Sequence, residues 1–470
     1  MENLKLDEFK KEIKNKKIAV IGIGISNIPA ITYLVKLGAH VCARDKKEIL
    51  GDECDILKEL NIDFVLGDKY LDNLDEYDYI FRSPGVKPFS KEIEKAIALG
   101  VILTSEIELV ISLSPCKVIG ITGSDGKTTT TTLVSKFLEE AGYKVWLGGN
   151  IGYPIFSKIE QMNKEDIIVL ELSSFQLMTL KQSPYICVIT NISPNHLDYH
   201  RSFEEYIDAK ANIFLNQKQD GILVLNQDSE YTKRYENEIL QRQIKTNIRK
   251  FSVIDDIQNG VFLQNGNIIS NIDNKTQNIS KISNVKLVGI HNLANICAAA
   301  SAIIHLTGIN PIKRVINSFI GVEHRMELVR QIDGVKWYND SIATSPTRTI
   351  AGLVSFKQQI ILIAGGYDKN IPYDSIGAYI LDKVKLLLLI GKTAPKIQKA
   401  VIDEAKKRNI DQTVKIVNLK TLEECVEYAN SNSLNGDIVV LSPASASFDM
   451  YKNFEQRGDH FKRLVEEIAN

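Results

Sequence analysis

The sequence predicts an α/β protein of three domains, and two observations support this prediction. Short apolar runs rich in β-branched residues alternate throughout with amphipathic stretches of helical period, which is the pattern of parallel sheets covered by helices. The same pattern restarts three times, at Lys16, Cys116 and Gly334. We therefore place domain boundaries near residues 105 and 321, which divides the chain into 1–105, 106–321 and 322–470.

Composition excludes several classes of protein. A chain of 470 residues with 44% apolar content can bury more than one core. Its 57 lysines and arginines nearly balance its 58 aspartates and glutamates, so no global field favours nucleic acid or an anionic membrane. Residues 1–17 are polar, and no uninterrupted apolar run approaches the roughly 20 residues of a membrane span. We expect a soluble, cytoplasmic protein without nucleic-acid partners and without membrane insertion.

The six cysteines are isolated in the sequence. They show no Cys-x-x-Cys spacing and no histidine at zinc-ligand distance, so we expect reduced core thiols and neither disulfides nor a metal site. They are Cys42, Cys54, Cys116, Cys187, Cys297 and Cys425.

A glycine-rich turn, Gly22-Ile-Gly24-Ile-Ser-Asn27, follows the first predicted strand. Its glycines allow a phosphate to approach the backbone at a helix amino terminus, and Asp45 after the next strand is placed to accept hydrogen bonds from a ribose. Asn27 replaces the third glycine of the dinucleotide fingerprint, which weakens the case for NAD. A second turn, Ser83-Pro-Gly85, follows the strand at Tyr79; it is either a simple structural turn or a second contact to the same nucleotide.

The strongest local signal is Gly120-Ile-Thr-Gly123-Ser-Asp-Gly-Lys127-Thr-Thr129, which runs from a buried strand into a helix. Backbone N–H groups and the helix amino terminus would cradle phosphate oxygens, Lys127 would neutralise their charge, and Thr128 or Thr129 would reach Mg²⁺. Isoleucine at position 121 replaces the usual first glycine of the Walker pattern. That departure points away from GTPases and motors.

Two further segments carry candidate metal ligands. Glu171 ends an apolar strand, where a carboxylate is costly to bury unless it is paired or binds a cation. His196 follows the next strand in a polar loop and is either a solvated side chain or a ligand of the same cation. Lys210 shares the apolar face of a helix with Tyr206; taken alone, it is a structural lysine whose charged end snorkels to water.

Between Gln241 and Val288 the composition shifts to asparagine, glutamine, lysine and isoleucine. Asn265-Gly266 lies between two alternating runs, which predicts an antiparallel hairpin appended to the middle domain. A disordered insertion is the alternative.

Seven motifs are spread over nearly the whole chain: Thr122-Gly-Ser-Asp-Gly-Lys-Thr128, Gly148-Gly-Asn150-Ile-Gly152, Glu171-Leu-Ser-Ser-Phe-Gln-Leu177, His291-Asn292 with Asn295, His324-Arg325, Asn339-Asp340-Ser341, and Leu441-Ser-Pro-Ala-Ser-Ala-Ser447 continuing to Lys452-Asn-Phe-Glu-Gln-Arg-Gly458. Together they resemble the Mur ligases, the ATP-dependent amide-bond ligases of peptidoglycan precursor synthesis. Two of them, Glu171–Leu177 and the last run, are similar to the members that add D-glutamate.

The resemblance implies a fold and a reaction. It implies a Rossmann-like UDP-binding domain, a central P-loop ATPase-like α/β domain with an added β-hairpin region, and a Rossmann-like C-terminal domain that binds the amino acid. The reaction joins D-glutamate to UDP-N-acetylmuramoyl-L-alanine through an acyl phosphate and releases ADP and phosphate. It implies ATP, two Mg²⁺ ions and a monomeric enzyme.

The resemblance also implies roles for residues at matching positions. Catalytic positions would be Lys127, Glu171, His196, Lys210 and Asn150. Contacts to ATP would come from Gly123, Ser124, Asp125, Gly126, Lys127, Thr128, Thr129, Asn292, Asn295, Arg325 and Asp340. Magnesium would be held by Thr128, Glu171, His196 and Lys210, the last as a carbamate, a modification that turns a cation into a carboxylate-like ligand.

The two remaining substrates would bind in the outer domains. The UDP substrate would contact Ile25, Ser26, Asp45, Lys46, Ser83 and Gly85, so the imperfect fingerprint would bind UDP and not NAD. D-Glutamate would contact Thr344, Lys369, Ser447 and Phe454. One position departs from the family: many members carry lysine two residues after Asp340, and this chain has Ile342. Arg348 is a candidate substitute for that cation.

Three alternatives stay open at the level of sequence. A sister ligase for another amino acid, or a folylpolyglutamate-type ligase, would share the ATP site. A nucleotide-switched binding protein of the phosphate-loop class would hydrolyse ATP without an acceptor. A nicotinamide oxidoreductase would bind NAD at Gly22–Asn27.

Overall fold

Three sheets form the framework of the chain in this computed structural model. The structure describes residues 3–24, 27–51, 54–194, 199–287, 289–368, 371–410 and 414–469. The first two sheets belong to one compact unit, residues 1–319, and the third belongs to a second unit, residues 320–470. The predicted α/β class is confirmed, with helices between most of the successive parallel strands.

The first sheet has five parallel strands in the order β3-β2-β1-β4-β5. The loops that follow β1 and β4 leave neighbouring strands at the point where the strand order reverses, which is where open α/β sheets bind ligands. The strands are β1 Lys17–Ile21, β2 His40–Asp45, β3 Asp63–Leu66, β4 Tyr79–Arg82 and β5 Ile102–Thr104; the helices are α1 Leu4–Ile13, α2 Asn27–Lys36, α3 Asp55–Lys58, α4 Lys91–Ala98 and α5 Glu106–Leu113.

The second sheet has nine strands in the order β14-β13-β12-β11-β10-β9-β6-β8-β7. The central strand β6 lies between β9 and β8, so the loops after these three parallel strands share one edge. The strands are β6 Lys117–Thr122, β7 Val145–Gly149, β8 Ile167–Glu171, β9 Ile186–Ile189, β10 Ile222–Asn226, β11 Asn247–Ser252, β12 Gly260–Gln264, β13 Asn267–Ile272 and β14 Lys275–Lys281; the helices are α6 Lys127–Glu140, α7 Ser174–Leu177, α8 Phe203–Ala211, α9 Glu230–Gln241, α10 Ile290–Thr307 and α11 Ile309–Ser318.

The predicted hairpin is confirmed. β12 and β13 pair antiparallel across a two-residue turn in which Asn265 and Gly266 both have positive φ, 50° and 74°. Such a turn matches the twist of the two strands. β14 adds a third antiparallel strand, so the segment extends the second sheet and is not a disordered insertion.

The first two sheets share one apolar core. Phe156 lies in the middle segment, residues 117–318, which contains the second sheet and its helices. Its ring packs edge-on against Tyr33 of α2, with ring centroids 5.2 Å apart, and also contacts the rings of Phe9 and Phe81. Glu106 of α5 accepts hydrogen bonds from the backbone N–H groups of Ile155 and Phe156. The two sheets are therefore parts of one packed body.

The helix α10 is long and apolar enough to cross a membrane by length and composition alone. It packs instead on α6 and on strands of the second sheet, and most of it is buried there. A mostly buried helix of this kind is a core helix of the middle segment.

The third sheet forms the second unit and has six strands in the order β15-β16-β20-β17-β18-β19, all parallel except β15. Helices pack on both faces of this sheet through two apolar clusters. The strands are β15 Glu327–Ile332, β16 Val335–Asn339, β17 Ile360–Gly365, β18 Val384–Ile390, β19 Lys415–Asn418 and β20 Ile438–Leu441; the helices are α12 Pro346–Val354, α13 Ile376–Lys383, α14 Ala394–Lys407, α15 Leu422–Asn432 and α16 Phe454–Glu466.

Candidate active site

The glycine loop after β1 lies directly against the turn after β4. Gly22 has φ +86°, and a Cβ at this position would lie 2.6 Å from the Cβ of Ser83, so only glycine allows this approach. Asn27, which replaces the third fingerprint glycine, is buried and donates from Nδ2 to the carbonyl of Gly22 at 2.7 Å. Asn27 thus clamps the loop, which gives a structural reason for the departure from the dinucleotide pattern.

Asp45 also supports this loop. Its Oδ2 accepts from the N–H of Ile23 at 2.7 Å and its Oδ1 accepts from the N–H of Lys47 at 2.9 Å. Lys46 and Gly85 are exposed beside these groups. Two predicted contacts to the UDP substrate, Ile25 and Ser26, lie outside the described residues.

The phosphate loop is anchored by the end of β9. Asn191 accepts from the N–H of Ser124 with its backbone carbonyl and from the N–H of Asp125 with its side chain, both at 2.9 Å. Thr190 donates from Oγ1 to the carbonyl of Asp125 at 2.6 Å. Thr190 and Asn191 were not predicted as site residues; the sequence shows only that they follow a predicted strand, not that this strand lies beside the loop.

Lys127 and two asparagines border the same loop. Lys127 Nζ donates to the carbonyls of Gly123 and Ser124 at 2.9 and 2.8 Å. Asn295 of α10 lies so close that a Cβ on Gly126 would be 2.2 Å from its Oδ1, and its Nδ2 donates to Asn292 Oδ1 at 3.2 Å. The structure therefore brings these predicted ATP contacts together at the amino terminus of α6, where Thr128 and Thr129 are buried.

Glu171 is a buried carboxylate beside this loop, at the end of β8. Its Oε1 accepts from Asn150 Nδ2 at 2.8 Å, and the N–H of Asn150 donates to the carbonyl of Glu171, also at 2.8 Å. Among the described residues, Glu171 Oε2 has no hydrogen-bond partner although it is buried. A buried, half-satisfied carboxylate fits a metal ligand.

Lys210 is buried at the same edge, so the interpretation of a lysine that snorkels to water is wrong. It is 1% exposed, and its Nζ donates to Gly123 O at 2.8 Å and Thr122 Oγ1 at 3.3 Å. Burial lowers the pKa of the Lys210 ammonium well below its ordinary value, and the charge of Lys127 lowers this pKa further. The opposing charges of Asp125 and Glu171 act more weakly.

The third predicted metal ligand, His196, lies outside the described residues. Within the described parts of the chain, no cluster of three or more histidine, cysteine, aspartate or glutamate side chains forms a ready metal site. The Tyr206 hydroxyl contacts the phosphate loop through a hydrogen bond with Ser124 Oγ at 2.9 Å, which the sequence did not predict.

The six cysteines are buried free thiols, which agrees with the prediction.

In the second unit, Asp340 is buried directly after the end of β16. Ser442 Oγ donates to its Oδ2 at 2.7 Å and the N–H of Met326 donates to its Oδ1 at 3.3 Å. Burial raises the pKa of Asp340 to about 7, against the lowering effects of Ser442 and of the Arg325 and Arg348 charges. Asp340 and Arg325 therefore belong to one electrostatic group.

Arg457 joins the loops next to three of the residues predicted for D-glutamate, Thr344, Ser447 and Phe454. Its guanidinium donates to the Ser341 carbonyl at 2.9 Å, to the Ser445 carbonyl at 3.1 Å and to the Ala446 carbonyl at 3.1 Å. Ser341 Oγ in turn donates to the carbonyl of Phe454 at 2.8 Å. The loop that contains Ser447 is thus tied to the loop that leads to Thr344, and Lys369 lies outside the described residues.

Comparison with known families matches all three parts of the chain. The model for the Mur ligase MurD-like N-terminal domain matches residues 16–105, that for the Mur ligase middle domain matches 121–303, and that for the Mur ligase glutamate ligase domain matches 324–445.

Full-length relatives and solved structures agree. The UDP-N-acetylmuramoylalanine--D-glutamate ligase of Ruminiclostridium cellulolyticum is 50% identical and covers 99% of this chain and 100% of its own length. The protein of the same name from Acetivibrio thermocellus is 49% identical, with 99% of both chains covered. The structure of UDP-N-acetylmuramate-alanine ligase MurC from Thermotoga maritima has a TM-score of 0.55 at 17% identity, covers 96% of this chain and 99% of its own, and shares the fold. The chain belongs to the Mur ligase family.

Proposed function

We propose that this protein is the ATP-dependent ligase that joins D-glutamate to UDP-N-acetylmuramoyl-L-alanine in peptidoglycan precursor synthesis. The observation that carries the proposal is the likeness to two D-glutamate ligases, at 50% and 49% identity over 468 residues, which extends through every segment of the candidate site. The geometry supports it, because a phosphate loop, a buried carboxylate and a buried lysine meet at one edge of the second sheet.

The reaction couples ATP cleavage to amide formation. The alanine carboxylate attacks the γ-phosphorus of ATP, the bond to the β,γ-bridging oxygen breaks, and ADP leaves. The D-glutamate amine then attacks the acyl phosphate carbon, phosphate leaves with the former carboxylate oxygen, and the amine loses a proton. Lys127 and the amino terminus of α6 neutralise phosphate charge, while the ordered loop holds the reacting oxygens in line.

Magnesium fits the residues at this edge. Glu171 Oε2 is a buried oxygen that lacks a partner among the described residues, and Thr128 lies in the first turn of α6. We propose that Glu171, Thr128, His196 and a carbamate on Lys210 hold two magnesium ions. When bound, the metal offsets the negative charge that develops on the transferred phosphoryl group.

The burial and the lowered pKa of Lys210 support the proposed carbamate. Its lowered pKa favours the neutral amine, whose lone pair attacks carbon dioxide; a C–N bond forms, one C–O π bond becomes an oxyanion, and the nitrogen releases a proton. The product is an anion at a position where an ammonium would repel Lys127. We propose this modification as the functional state of Lys210.

The first sheet is proposed to bind the UDP substrate, through Ile25, Ser26, Asp45, Lys46, Ser83 and Gly85. The third sheet is proposed to bind D-glutamate through Thr344, Lys369, Ser447 and Phe454. The supporting observations are the adjacency of the two turns in the first sheet and the Arg457 network in the second unit.

Arg348 is proposed as the cation that replaces a family lysine at Ile342. Its Nη1 donates to the carbonyl of Ile342 at 3.3 Å, and its charge lowers the pKa of Asp340. Arg348→Ala should raise the KM for D-glutamate or for ATP; unchanged saturation by both would remove Arg348 from the site.

We also propose that the enzyme acts as a cytoplasmic monomer. Core packing accounts for the apolar helix α10, so that helix does not indicate a membrane anchor. Light scattering of the purified protein at micromolar concentration tests the monomer directly.

The proposed function is tested by phosphate release from ATP and Mg²⁺ in the presence of UDP-N-acetylmuramoyl-L-alanine. D-Glutamate is compared with L-glutamate, L-lysine, L-alanine and no amino acid. Release that depends strictly on D-glutamate and on the UDP substrate supports the proposal. Release with another amino acid indicates a sister ligase, and release without any acceptor indicates a nucleotide-switched ATPase.

A further inference from the structure

The side chain of Arg82 joins the turn of residues 83–86 to the middle segment. Arg82 ends β4 and is 1% exposed. Its Nη1 donates to the carbonyl of Val86 at 2.7 Å. Its Nη2 donates to the carbonyl of Phe175 at 2.9 Å and to Thr179 Oγ1 at 3.2 Å. The planar guanidinium therefore contacts residues 83–86, the turn that we propose for binding the uridine nucleotide, through Nη1, and it contacts α7 through Nη2.

The segment that Arg82 holds follows directly from Glu171. Ser173 caps α7: its Oγ accepts from the N–H of Gln176, and Gln176 Oε1 accepts from the N–H of Ser173. This capping box fixes the backbone between Glu171 and the carbonyl that Arg82 contacts. The position of Arg82 is thereby coupled to the position of the carboxylate.

A second link runs between the same two regions. Tyr199 donates from its hydroxyl to the carbonyl of Pro84 at 3.0 Å, and its ring packs on Phe175 with centroids 4.1 Å apart. Two side chains thus join the turn to the middle segment: Arg82 from the first sheet and Tyr199 from the middle segment.

Packing alone does not account for an arginine here. In the part of the chain that the structure describes, no carboxylate oxygen lies within 4.0 Å of the Arg82 guanidinium, whose partners are carbonyl and hydroxyl oxygens. Burial lowers the pKa of Arg82 from its ordinary value. A buried cation without an anionic partner is costly, and an apolar side chain of similar size would fill the space at lower cost.

We propose that Arg82 is a positioning residue of the ligase reaction, which fixes the separation between the uridine-nucleotide turn and Glu171. The carboxylate of the bound UDP substrate then meets the γ-phosphate of ATP at the attacking distance. This inference rests on the proposed function, because it requires the UDP substrate at residues 83–85 and the metal at Glu171. Lysine cannot serve at this position, since a single ammonium lacks the planar fork that spans both partners.

The test compares Arg82→Met and Arg82→Lys with Arg249→Met. Arg249 is a matched control, because it is also a buried arginine, held by the carbonyl of Ser301 and by His305 Nδ1 at 3.0 Å each. For each protein, kcat at saturating substrates, the Kd of the UDP substrate and of ATP by calorimetry, and the melting temperature are measured.

Both Arg82 variants should lose about 10- to 100-fold in kcat, while the Kd of each substrate stays within about threefold, because displacement of the reacting groups by about 1 Å costs rate more than binding. Arg249→Met should keep kcat within about twofold at a temperature where it is folded. Equal kcat losses in the Arg249 and Arg82 variants, or an Arg82→Met enzyme with wild-type kcat, would overturn the inference.

Tyr199→Phe provides a variant that keeps the fold even if Arg82→Met does not. It removes only the hydroxyl, which contacts the Pro84 carbonyl and also raises the pKa of Arg82. We expect kcat to fall about three- to tenfold without a change in the Kd of ATP. Wild-type kcat in Tyr199→Phe together with an unfolded Arg82→Met would also overturn the inference. Failure of the proposed function is distinct, because the wild-type enzyme itself would then lack turnover that depends on D-glutamate.

Discussion

Asn150 donates a hydrogen bond to only one oxygen of Glu171, from Nδ2 to Oε1 at 2.8 Å. The other oxygen, Oε2, is buried and has no hydrogen-bond partner among the described residues. A buried carboxylate oxygen of this kind needs a cation or a donor to offset the loss of water. The hydrogen bond therefore orients the carboxylate and leaves its second oxygen for the metal ion that we propose beside the phosphate loop.

Glu171→Gln tests this division of the carboxylate. The amide keeps an oxygen for Asn150 but removes the negative charge, so kcat should fall by about 100-fold or more and the Mg²⁺ concentration for half-maximal rate should rise. Asp166→Asn is the control, because Asp166 is a buried carboxylate just before the opposite end of β8 and accepts from Trp146 Nε1. An unchanged Mg²⁺ dependence in Glu171→Gln would contradict the metal assignment.

Lys210→Ala should lose most activity, and small carboxylates such as formate should restore part of it by replacing the carbamate anion that we propose on Lys210. A readout without turnover is the carbon-13 NMR signal of wild-type protein equilibrated with labelled carbon dioxide, which should disappear in Lys210→Ala. Lys127→Ala serves as the control, since its loss should not be rescued by formate. Full activity of Lys210→Ala, or a carbamate signal that survives this substitution, would exclude the modification.

The fold was largely predictable because its signals are local. Alternation of strand-like and helix-like runs predicted the three sheets, and Asn265-Gly266 predicted the hairpin. Contacts between distant segments were not predictable: Arg82 and Phe175 are 93 residues apart in the chain, and a pattern of period two or 3.6 carries no information about such a pair.

Glu106→Gln should change how stability depends on pH. Burial raises the pKa of Glu106 from 4.5 to about 7, against the lowering effect of the N–H groups of Ile155 and Phe156. Between pH 4.5 and about 7 the folded protein keeps a proton on Glu106 that the unfolded chain loses. The contribution of protonated Glu106 to the free energy of unfolding is therefore fully present below pH 4.5 and is lost as pH rises through about 7. Glutamine removes that loss, which corresponds to about 3 kcal/mol.

Urea unfolding from pH 4.5 to 8 measures this effect, with Trp146 as the fluorophore in a Trp337→Phe background, since these are the two tryptophans of the chain. The free energy of unfolding of Glu106→Gln should increase relative to that of its parent as pH rises. Glu165→Gln, at an exposed position, controls for the loss of one charge. A difference that is constant across this range would contradict the assignment.

Arg457→Lys should raise the KM for D-glutamate more than the KM for the UDP substrate. Lysine keeps the charge but cannot donate at once to the carbonyls of Ser341, Ser445 and Ala446, so the loop with Ser447 loses its anchor. We expect an increase of about tenfold in the KM for D-glutamate. Equal increases for both substrates would indicate a general loss of folding instead.

The candidate site was predictable only in part, and for a physical reason. Glu171 and Lys127 could be named because a carboxylate at the end of an apolar strand and a lysine after a glycine loop are unusual in sequence. Arg457 and Asn191 act through backbone carbonyls and N–H groups, which every residue carries, so nothing in the sequence marks their partners.

The most direct test of the ligase assignment follows one oxygen atom. UDP-N-acetylmuramoyl-L-alanine labelled with oxygen-18 in both oxygens of the alanine carboxylate is incubated with the enzyme, ATP, Mg²⁺ and D-glutamate, and the released phosphate is analysed by mass spectrometry. Amide formation through an acyl phosphate predicts one labelled oxygen in each phosphate. Unlabelled phosphate would mean that water attacks ATP, and it would contradict the account.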